Sequence, residues 1–178
     1  MVKDAIWTSE YIAKFWNFVG SQPYSQELCF SKLAGKGIIK FLIKSESLSE
    51  GMTVLDYGCG PGFLLEHLLD HGVTCYGVDA SESEIELVNK KFSEFKGWKG
   101  GYVCSVPPLP FSDNTFDLII CVEMLEHLMP ENYKIIFNEI NRVLNVNGKV
   151  LFTTPNNENL EARKVYCPFC DTKFHRRQ

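Results

Sequence analysis

The amino-acid sequence predicts an α/β fold built on a doubly wound parallel sheet. Short apolar runs recur along the chain, and segments with the period of an amphipathic helix separate them. No hairpin turn signal joins these runs, so consecutive strands are expected to lie parallel with right-handed crossovers. A chain of 178 residues is long enough for one domain with a substantial core.

The elements follow in order from periodicity and capping. Helices are expected over residues 4–19, 38–43, 82–95 and 131–144, and strands over 52–55, 73–79, 101–105, 116–122 and 149–154. Ser81 and Glu84 have the spacing of a capping box at the third of these helices. A turn is expected over 145–148, and no strand after Pro155. We divide the chain into a helical cap or lid (1–48), a core (49–160) and a tail (161–178).

Composition narrows the class of protein. Hydrophobic content is 45% and charged content 22%, as in ordinary globular proteins. No signal peptide or membrane-spanning run is evident, and the seven cysteines then indicate a reducing cytoplasm and no membrane partner. Five of them are expected to be small core residues: Cys29, Cys59, Cys75, Cys104 and Cys121. A net charge of −4 makes a nucleic-acid partner an unfavoured alternative.

A glycine-rich turn follows the first predicted core strand. Asp56 precedes glycines at 58, 60 and 62, and Asp79 ends the next strand, 17 residues after Gly62. Glycines there let backbone approach a ligand, and an acid at that distance can accept hydrogen bonds from ribose hydroxyls. Dinucleotides and S-adenosylmethionine (SAM) both fit this logic. The spacing differs from Gly-x-Gly-x-x-Gly, and Asp56 would repel a pyrophosphate but suits the cationic methionine end of SAM, so SAM is favoured.

With these residues the chain resembles a class I SAM-dependent methyltransferase over residues 35–160. The resemblance implies a Rossmann-like fold in which Asp56, Gly58, Gly60 and Gly62 hold the methionine part of SAM and Asp79 holds the ribose. Residues 109–120 are similar to the family's Leu-Pro-Phe…Phe-Asp segment. Most relatives place an adenine-binding Asp where this chain has Ser105. The resemblance extends cofactor binding to Ala80, Val106 and Cys121.

This chain departs from the family at its C-terminal end. Class I methyltransferases usually add a sixth strand and an antiparallel seventh, and neither is evident after Pro155. The sequence stops at Arg176-Arg177-Gln178, within what looks like a motif. We therefore expect a fragment of a longer protein.

Glu123, Glu126 and His127 follow the fourth core strand, where the crevice of a doubly wound sheet lies. On one helical turn these side chains could converge, and they suit Mg²⁺, Mn²⁺, Fe²⁺ or Zn²⁺. The pattern resembles metal-dependent small-RNA 3′-terminal 2′-O-methyltransferases and also ubiquinone-pathway O-methyltransferases. Two alternatives stay open, a catalytic role without metal, with His127 as base, and a purely structural role. Residues 153–159 are similar to a Thr-Pro-Asn-x-Glu-x-Asn segment of those RNA enzymes, although they also suit a simple turn.

The tail carries a second candidate metal site. Cys167 and Cys170 form a Cys-x-x-Cys pair, and His175 follows five residues later. A structural zinc site needs four ligands, and no fourth is evident. A zinc knuckle, a redox pair and bystander thiols remain open, as does entry of His175 into the crevice beside Glu123.

Together these observations predict methyl transfer to a hydroxyl of a small molecule or sugar. A carboxylate pair with a histidine suits an acceptor that must lose a proton. An RNA 2′-O-methyltransferase and a non-catalytic SAM-binding or zinc-knuckle interaction module are the alternatives. Aromatic residues near the N-terminus are expected to form either core or a lid over the site: Trp7, Tyr11, Phe15, Trp16 and Tyr24.

Overall fold

The computed structural model describes residues 2–22, 27 and 29–175. Its helices are α1 (Ser9–Gly20), α2 (Phe30–Lys44), α3 (Phe63–Leu69), α4 (Glu82–Phe92) and α5 (Tyr133–Val143). Its strands are β1 (Lys3–Asp4), β2 (Thr53–Tyr57), β3 (Thr74–Asp79), β4 (Trp98–Val103), β5 (Phe116–Val122), β6 (Leu144–Thr153), β7 (Val165–Cys167) and β8 (Thr172–Phe174). Tyr24 and residues 176–178 lie outside the described residues.

Five strands form the central sheet, and every pair of neighbours in it is parallel. The order is β4-β3-β2-β5-β6, so the chain winds outward in both directions from β2. The predicted α/β doubly wound fold is confirmed. Because the order reverses between β2 and β5, a crevice opens there beyond the carboxyl ends of the strands.

Both faces of this sheet are buried. Val54 and Leu118 face helices α3 and α4, where Leu64 and Phe92 are almost fully buried. Leu55 and Ile119 point to the opposite face and share a second apolar cluster with residues of α5. Burial on both faces explains why the central strands are continuous apolar runs and do not alternate with polar residues.

The largest differences between the predicted and observed strand bounds lie in β4 and β6. β4 begins at Trp98, before the predicted start at 101. Residues 145–148 lie inside β6, where a turn was expected. The pairing with β5 shifts register between Phe116 and Leu118, and Asn147 has a positive φ of 69°. The turn-forming residues therefore make an irregularity within the strand and do not end it.

Two strands after Pro155 were not predicted at all. β7 and β8 form an antiparallel hairpin, and β1 pairs parallel with β8. This three-stranded sheet is separate from the central one, which has no sixth or seventh strand among the described residues. The short strands carry no clear alternation, so the sequence offered little signal for them. No helix in the described part of the chain is long and apolar enough to span a membrane.

Gly62 provides a test of packing beside the glycine-rich turn. It precedes α3 with a φ of 77°, and a Cβ there would lie 2.8 Å from Cε2 of Phe92 and 2.9 Å from Cγ1 of Val88. We expect Gly62→Ala to lower the free energy of unfolding by about 3 kcal/mol, from backbone strain plus overpacking. Urea unfolding measures this. Gly37→Ala is the control, since a Cβ at this position in α2 meets no atom within 4 Å; it should stabilise the protein slightly, and equal effects of the two changes would contradict the prediction.

Candidate active site

A cavity of about 830 Å³ opens at the carboxyl ends of β2, β3 and β5. Its volume lies within the range of small-molecule sites. The glycine-rich turn and the end of β3 form one part of its wall, while α1, the segment after β5 and the tail hairpin form the rest. Eight of the predicted site residues line it: Gly58, Gly60, Asp79, Ala80, Ser105, Glu123, His127 and His175.

Asp79 organises the glycine-rich turn. Its Oδ2 accepts a hydrogen bond from the backbone N–H of Gly60 at 2.8 Å, and its Oδ1 accepts one from Ser81 N–H at 2.9 Å. A Cβ built on Gly60 meets no protein atom within 4 Å, although Gly60 lines the cavity. Space for a ligand beside the backbone therefore exists here, as the resemblance to SAM enzymes requires.

Asp56 sits deeper than the cavity wall. Its side chain is only 2% exposed. Burial raises the pKa of Asp56 to about 8, and the negative charge of Asp79 adds to the shift. Gly62, Val106 and Cys121 also lie off the cavity surface, and Cys121 packs within the apolar cluster beside α5. None of these four residues is part of the cavity wall that the described residues form.

The raised pKa of Asp56 predicts a pH-dependent stability. The folded carboxyl titrates at a pKa of about 8 and the unfolded one near 3.9, so the folded state holds the extra proton between these values. Stability from this group therefore falls as pH rises from about 4 to about 8. Asp56→Asn should therefore gain in free energy of unfolding relative to wild type as the pH rises. We expect this difference between variant and wild type to be at least about 1 kcal/mol more favourable at pH 9 than at pH 5.

Chemical denaturation at the two pH values measures that difference. Asp70→Asn is the control, because Asp70 is exposed at the end of α3. The same pH difference in both variants would show that the burial of Asp56 is not its cause.

The described structure shows no convergence of Glu123, Glu126 and His127 on a metal site. Glu123 has a left-handed backbone with a φ of 52°, and only residues 125–127 form a short 3₁₀ helix. The three residues therefore do not share one helical turn. Among the described residues, no group of three His, Cys, Asp or Glu side chains is arranged to hold a metal ion.

Both glutamates instead contact threonines at the end of β6. Thr153 Oγ1 donates to Glu123 Oε1 at 3.2 Å, and the backbone N–H of Glu123 donates to Thr153 Oγ1 at 3.1 Å. Thr154 Oγ1 donates to Glu126 Oε2 at 3.3 Å. These bonds connect the loop after β5 to the neighbouring strand. They contribute to the position of the loop that carries His127.

In the tail, the structure places Cys167 and Cys170 apart from His175. Cys167 ends β7 and Cys170 lies in the hairpin turn, whereas His175 follows β8 at the opposite end of the hairpin. Backbone N–H groups of Cys170 and Phe169 and the Cys170 thiol lower the pKa of Cys167. His175 is 6% exposed, and its Nε2 lies 3.9 Å from Oε1 of Glu158. The looser expectation that His175 reaches the crevice agrees with its position in the cavity wall.

Aromatic residues of α1 face the cavity. The rings of Trp16 and His127 meet edge to face with centroids 4.5 Å apart, and both residues line the cavity. Phe15 also lines the cavity. Its ring packs edge to face against Phe174 of the tail hairpin, with the ring centroids 6.5 Å apart. Trp7 packs edge-on against Phe174 at 6.0 Å. Of the remaining expected lid residues, Tyr11 is 55% exposed and Tyr24 lies outside the described residues.

Several cavity residues had no recognisable signal in the sequence. Arg163, Val165 and Phe174 come from the unpredicted tail structure. Glu84 was predicted only as part of a helix cap, yet it lines the cavity. Its backbone N–H does bond to Ser81 Oγ at 3.4 Å, which confirms Ser81 as the cap of α4.

Comparison with known proteins agrees with this fold. The family described as a methyltransferase domain matches residues 55–152. A protein of Methanocaldococcus jannaschii is 30% identical over 146 residues, which are 82% of this chain and 57% of that protein. The ubiquinone biosynthesis O-methyltransferase of Coxiella burnetii is 37% identical over 115 residues, or 64% of this chain and 48% of that enzyme.

A solved structure shows the same fold. Phosphoethanolamine N-methyltransferase 1 of Haemonchus contortus, in complex with phosphoethanolamine and S-adenosylhomocysteine (SAH), superposes with a TM-score of 0.69 and 18% identity over 84% of this chain and 33% of that chain. This chain spans about half the length of the curated relatives it matches. The family match covers more than half of the chain, and the strand order and glycine-rich turn agree with it. The chain belongs to the class I SAM-dependent methyltransferases.

Proposed function

We propose that this protein binds SAM in the cavity and transfers its methyl group to a hydroxyl of a small-molecule or sugar acceptor. The observation that carries the proposal is the single cavity that joins the glycine-rich turn and Asp79 to His127. Its size favours a small acceptor. The similarity to a relative named as a ubiquinone biosynthesis O-methyltransferase supports oxygen as the methylated atom.

The cofactor part of the cavity is formed by Asp79 and the turn that it anchors. The bonds from Asp79 to Gly60 and Ser81 N–H hold the turn in place, and each carboxylate oxygen keeps a second lone pair for a ribose hydroxyl. Bound SAM supplies a methyl group already activated on a positively charged sulfur. Ala80 and Ser105 flank this part of the cavity, where Ser105 can hydrogen-bond the adenine. Asp56 adds negative charge behind the turn once it is ionised.

The acceptor part is formed by His127 and the apolar residues around it. In our proposal His127 takes the proton from the acceptor hydroxyl during attack, and Trp16 fixes the orientation of the imidazole through their edge-to-face contact. Met124, Leu128 and Phe15 give the acceptor an apolar environment. Most of the acceleration then comes from alignment of acceptor and methyl group in a site from which water is excluded. Helix α1 supplies the cover, as the predicted lid.

The test combines cofactor binding with a panel of acceptors. SAH is titrated calorimetrically into the protein, and SAM with a labelled methyl group is then incubated with a catechol, a phenol, a hexose, an alkyl amine and a short RNA. We expect micromolar SAH binding and label transfer to a hydroxyl compound. Absence of SAH binding would overturn the proposal, and transfer to the amine or the RNA alone would overturn its acceptor class.

A further inference from the structure

Glu84 is a buried acid that the proposed reaction does not yet use. It lies in the first turn of α4, is 6% exposed, and lines the cavity. Its Oε2 is buried without a hydrogen-bond partner among the described residues. A carboxylate in that state lowers the stability of the folded protein, because it loses hydration and gains no bond in return. Hydrogen bonding within the protein therefore does not explain why an acid stands at position 84.

Capping of α4 does not supply that role. In a capping box the Glu84 carboxylate would accept a bond from the backbone N–H of Ser81. That N–H donates instead to Asp79 Oδ1 at 2.9 Å. The cap consists only of the bond from Glu84 N–H to Ser81 Oγ. Capping therefore does not occupy the side chain of Glu84.

Helix α1 approaches Glu84 so closely that a side chain at Gly20 would force Glu84 to move. A Cβ built on Gly20 would lie 2.7 Å from Cγ and 2.8 Å from Oε1 of Glu84. The helix thus shields the carboxylate from solvent on one side while the cavity lies on the other. Burial raises the pKa of Glu84 to about 7, with a further contribution from the negative charge of Asp79. Both acids line the cavity, and Ser81 joins them, because its N–H donates to Asp79 Oδ1 and its Oγ accepts from the Glu84 N–H.

The carboxylate of Asp79 already uses part of its hydrogen-bonding capacity within the protein. Each of its oxygens already accepts a backbone N–H, from Gly60 and from Ser81, whereas Oε2 of Glu84 accepts none. A vicinal diol presents two donors, which two adjacent carboxylates can accept separately. We infer that Glu84 is a second cofactor-binding carboxylate, which accepts a hydrogen bond from a ribose hydroxyl of SAM beside Asp79. The inference rests on the proposed function, because it takes SAM as the ligand of this cavity.

The test measures affinity and stability together. SAH and its 2′-deoxy and 3′-deoxy analogues are titrated into wild type, Glu84→Met and Glu84→Gln, and the thermal midpoint of each ligand-free protein is recorded. Glu84→Met should weaken SAH binding about tenfold or more, as expected for loss of a bond to a charged group. Glu84→Gln retains an acceptor oxygen and should recover part of the affinity. Binding of one deoxy analogue should be insensitive to both changes.

Stability separates ligand binding from a structural role. A residue held for its ligand should raise the ligand-free thermal midpoint when its buried charge is removed. Glu82→Gln is the matched control, because Glu82 lies in the same turn but is exposed, and it should change neither quantity. Unchanged SAH affinity in Glu84→Met, equal losses for SAH and both deoxy analogues, or a lower midpoint would each overturn the inference. If wild type itself failed to bind SAH, the proposed function would be the part that failed.

Discussion

Replacing Asp79 with alanine is expected to weaken SAH binding at least about a hundredfold. The change removes a carboxylate that accepts from the ribose, and a hydrogen bond to a charged group contributes about 1.5–3 kcal/mol. It also frees the backbone N–H groups of Gly60 and Ser81, which Asp79 now holds at 2.8 and 2.9 Å. The cofactor would then meet a turn that has lost its anchor. Calorimetric titration of SAH measures the loss directly.

Two further variants locate the cause of that loss. Asp79→Asn keeps the shape and one acceptor oxygen but loses the charge, so its affinity should fall between wild type and Asp79→Ala. Asp70→Ala removes an exposed acid after α3 and should leave SAH binding unchanged. Equal SAH affinities in Asp79→Ala and wild type would mean that the cofactor does not use the end of β3.

The second large effect concerns His127. We expect His127→Ala to lower kcat by about 10²–10⁴-fold, the usual contribution of a positioned general base. SAH binding should be nearly unchanged, since the proposed cofactor contacts lie at the glycine-rich turn. The measurement is the rate of label transfer to the best acceptor of the panel, together with the pH dependence of kcat. The acidic limb of that profile should disappear in the variant.

His71 offers the matched control. It is exposed beyond α3, and its Nδ1 lies 3.0 Å from the carbonyl oxygen of His67. His71→Ala should leave both kcat and its pH profile intact. If His127→Ala retained the wild-type kcat, the acceptor would lose its proton to another group or reach the site already deprotonated.

The central sheet and the cofactor-binding ends of β2 and β3 could be predicted from the sequence because their signals are local. A strand buried on both faces is a continuous apolar run, and Gly58, Gly60 and Asp79 follow such runs directly. Parallel pairing then brings their ends together without further information. Ser81 as a helix cap is equally local, and the structure confirms it.

The rest of the site depends on contacts between distant segments. Convergence of Glu123 with Glu126 and His127 was predicted from helical spacing, but the φ of 52° at Glu123 and its bonds to Thr153 in β6 direct the loop differently. Glu84 was assigned to a cap because the competing bond from Ser81 N–H to Asp79 Oδ1 appears only in three dimensions. The hairpin of β7 and β8 has strands of three residues each, too short for a periodic pattern.

The pairing of β1 with β8 makes the two ends of the described chain mechanically interdependent. Lys3 aligns with Thr172 and Asp4 with Lys173, and Lys164 Nζ contacts Asp4 Oδ1 at 2.8 Å. The aromatic contacts of Trp7 and Phe15 with Phe174 extend this connection to α1. Any change that unfolds the hairpin therefore also releases the support of α1, and with it the positions of Trp16 and Gly20 against the cavity. Residues more than 150 positions apart in the sequence therefore hold α1 in place together.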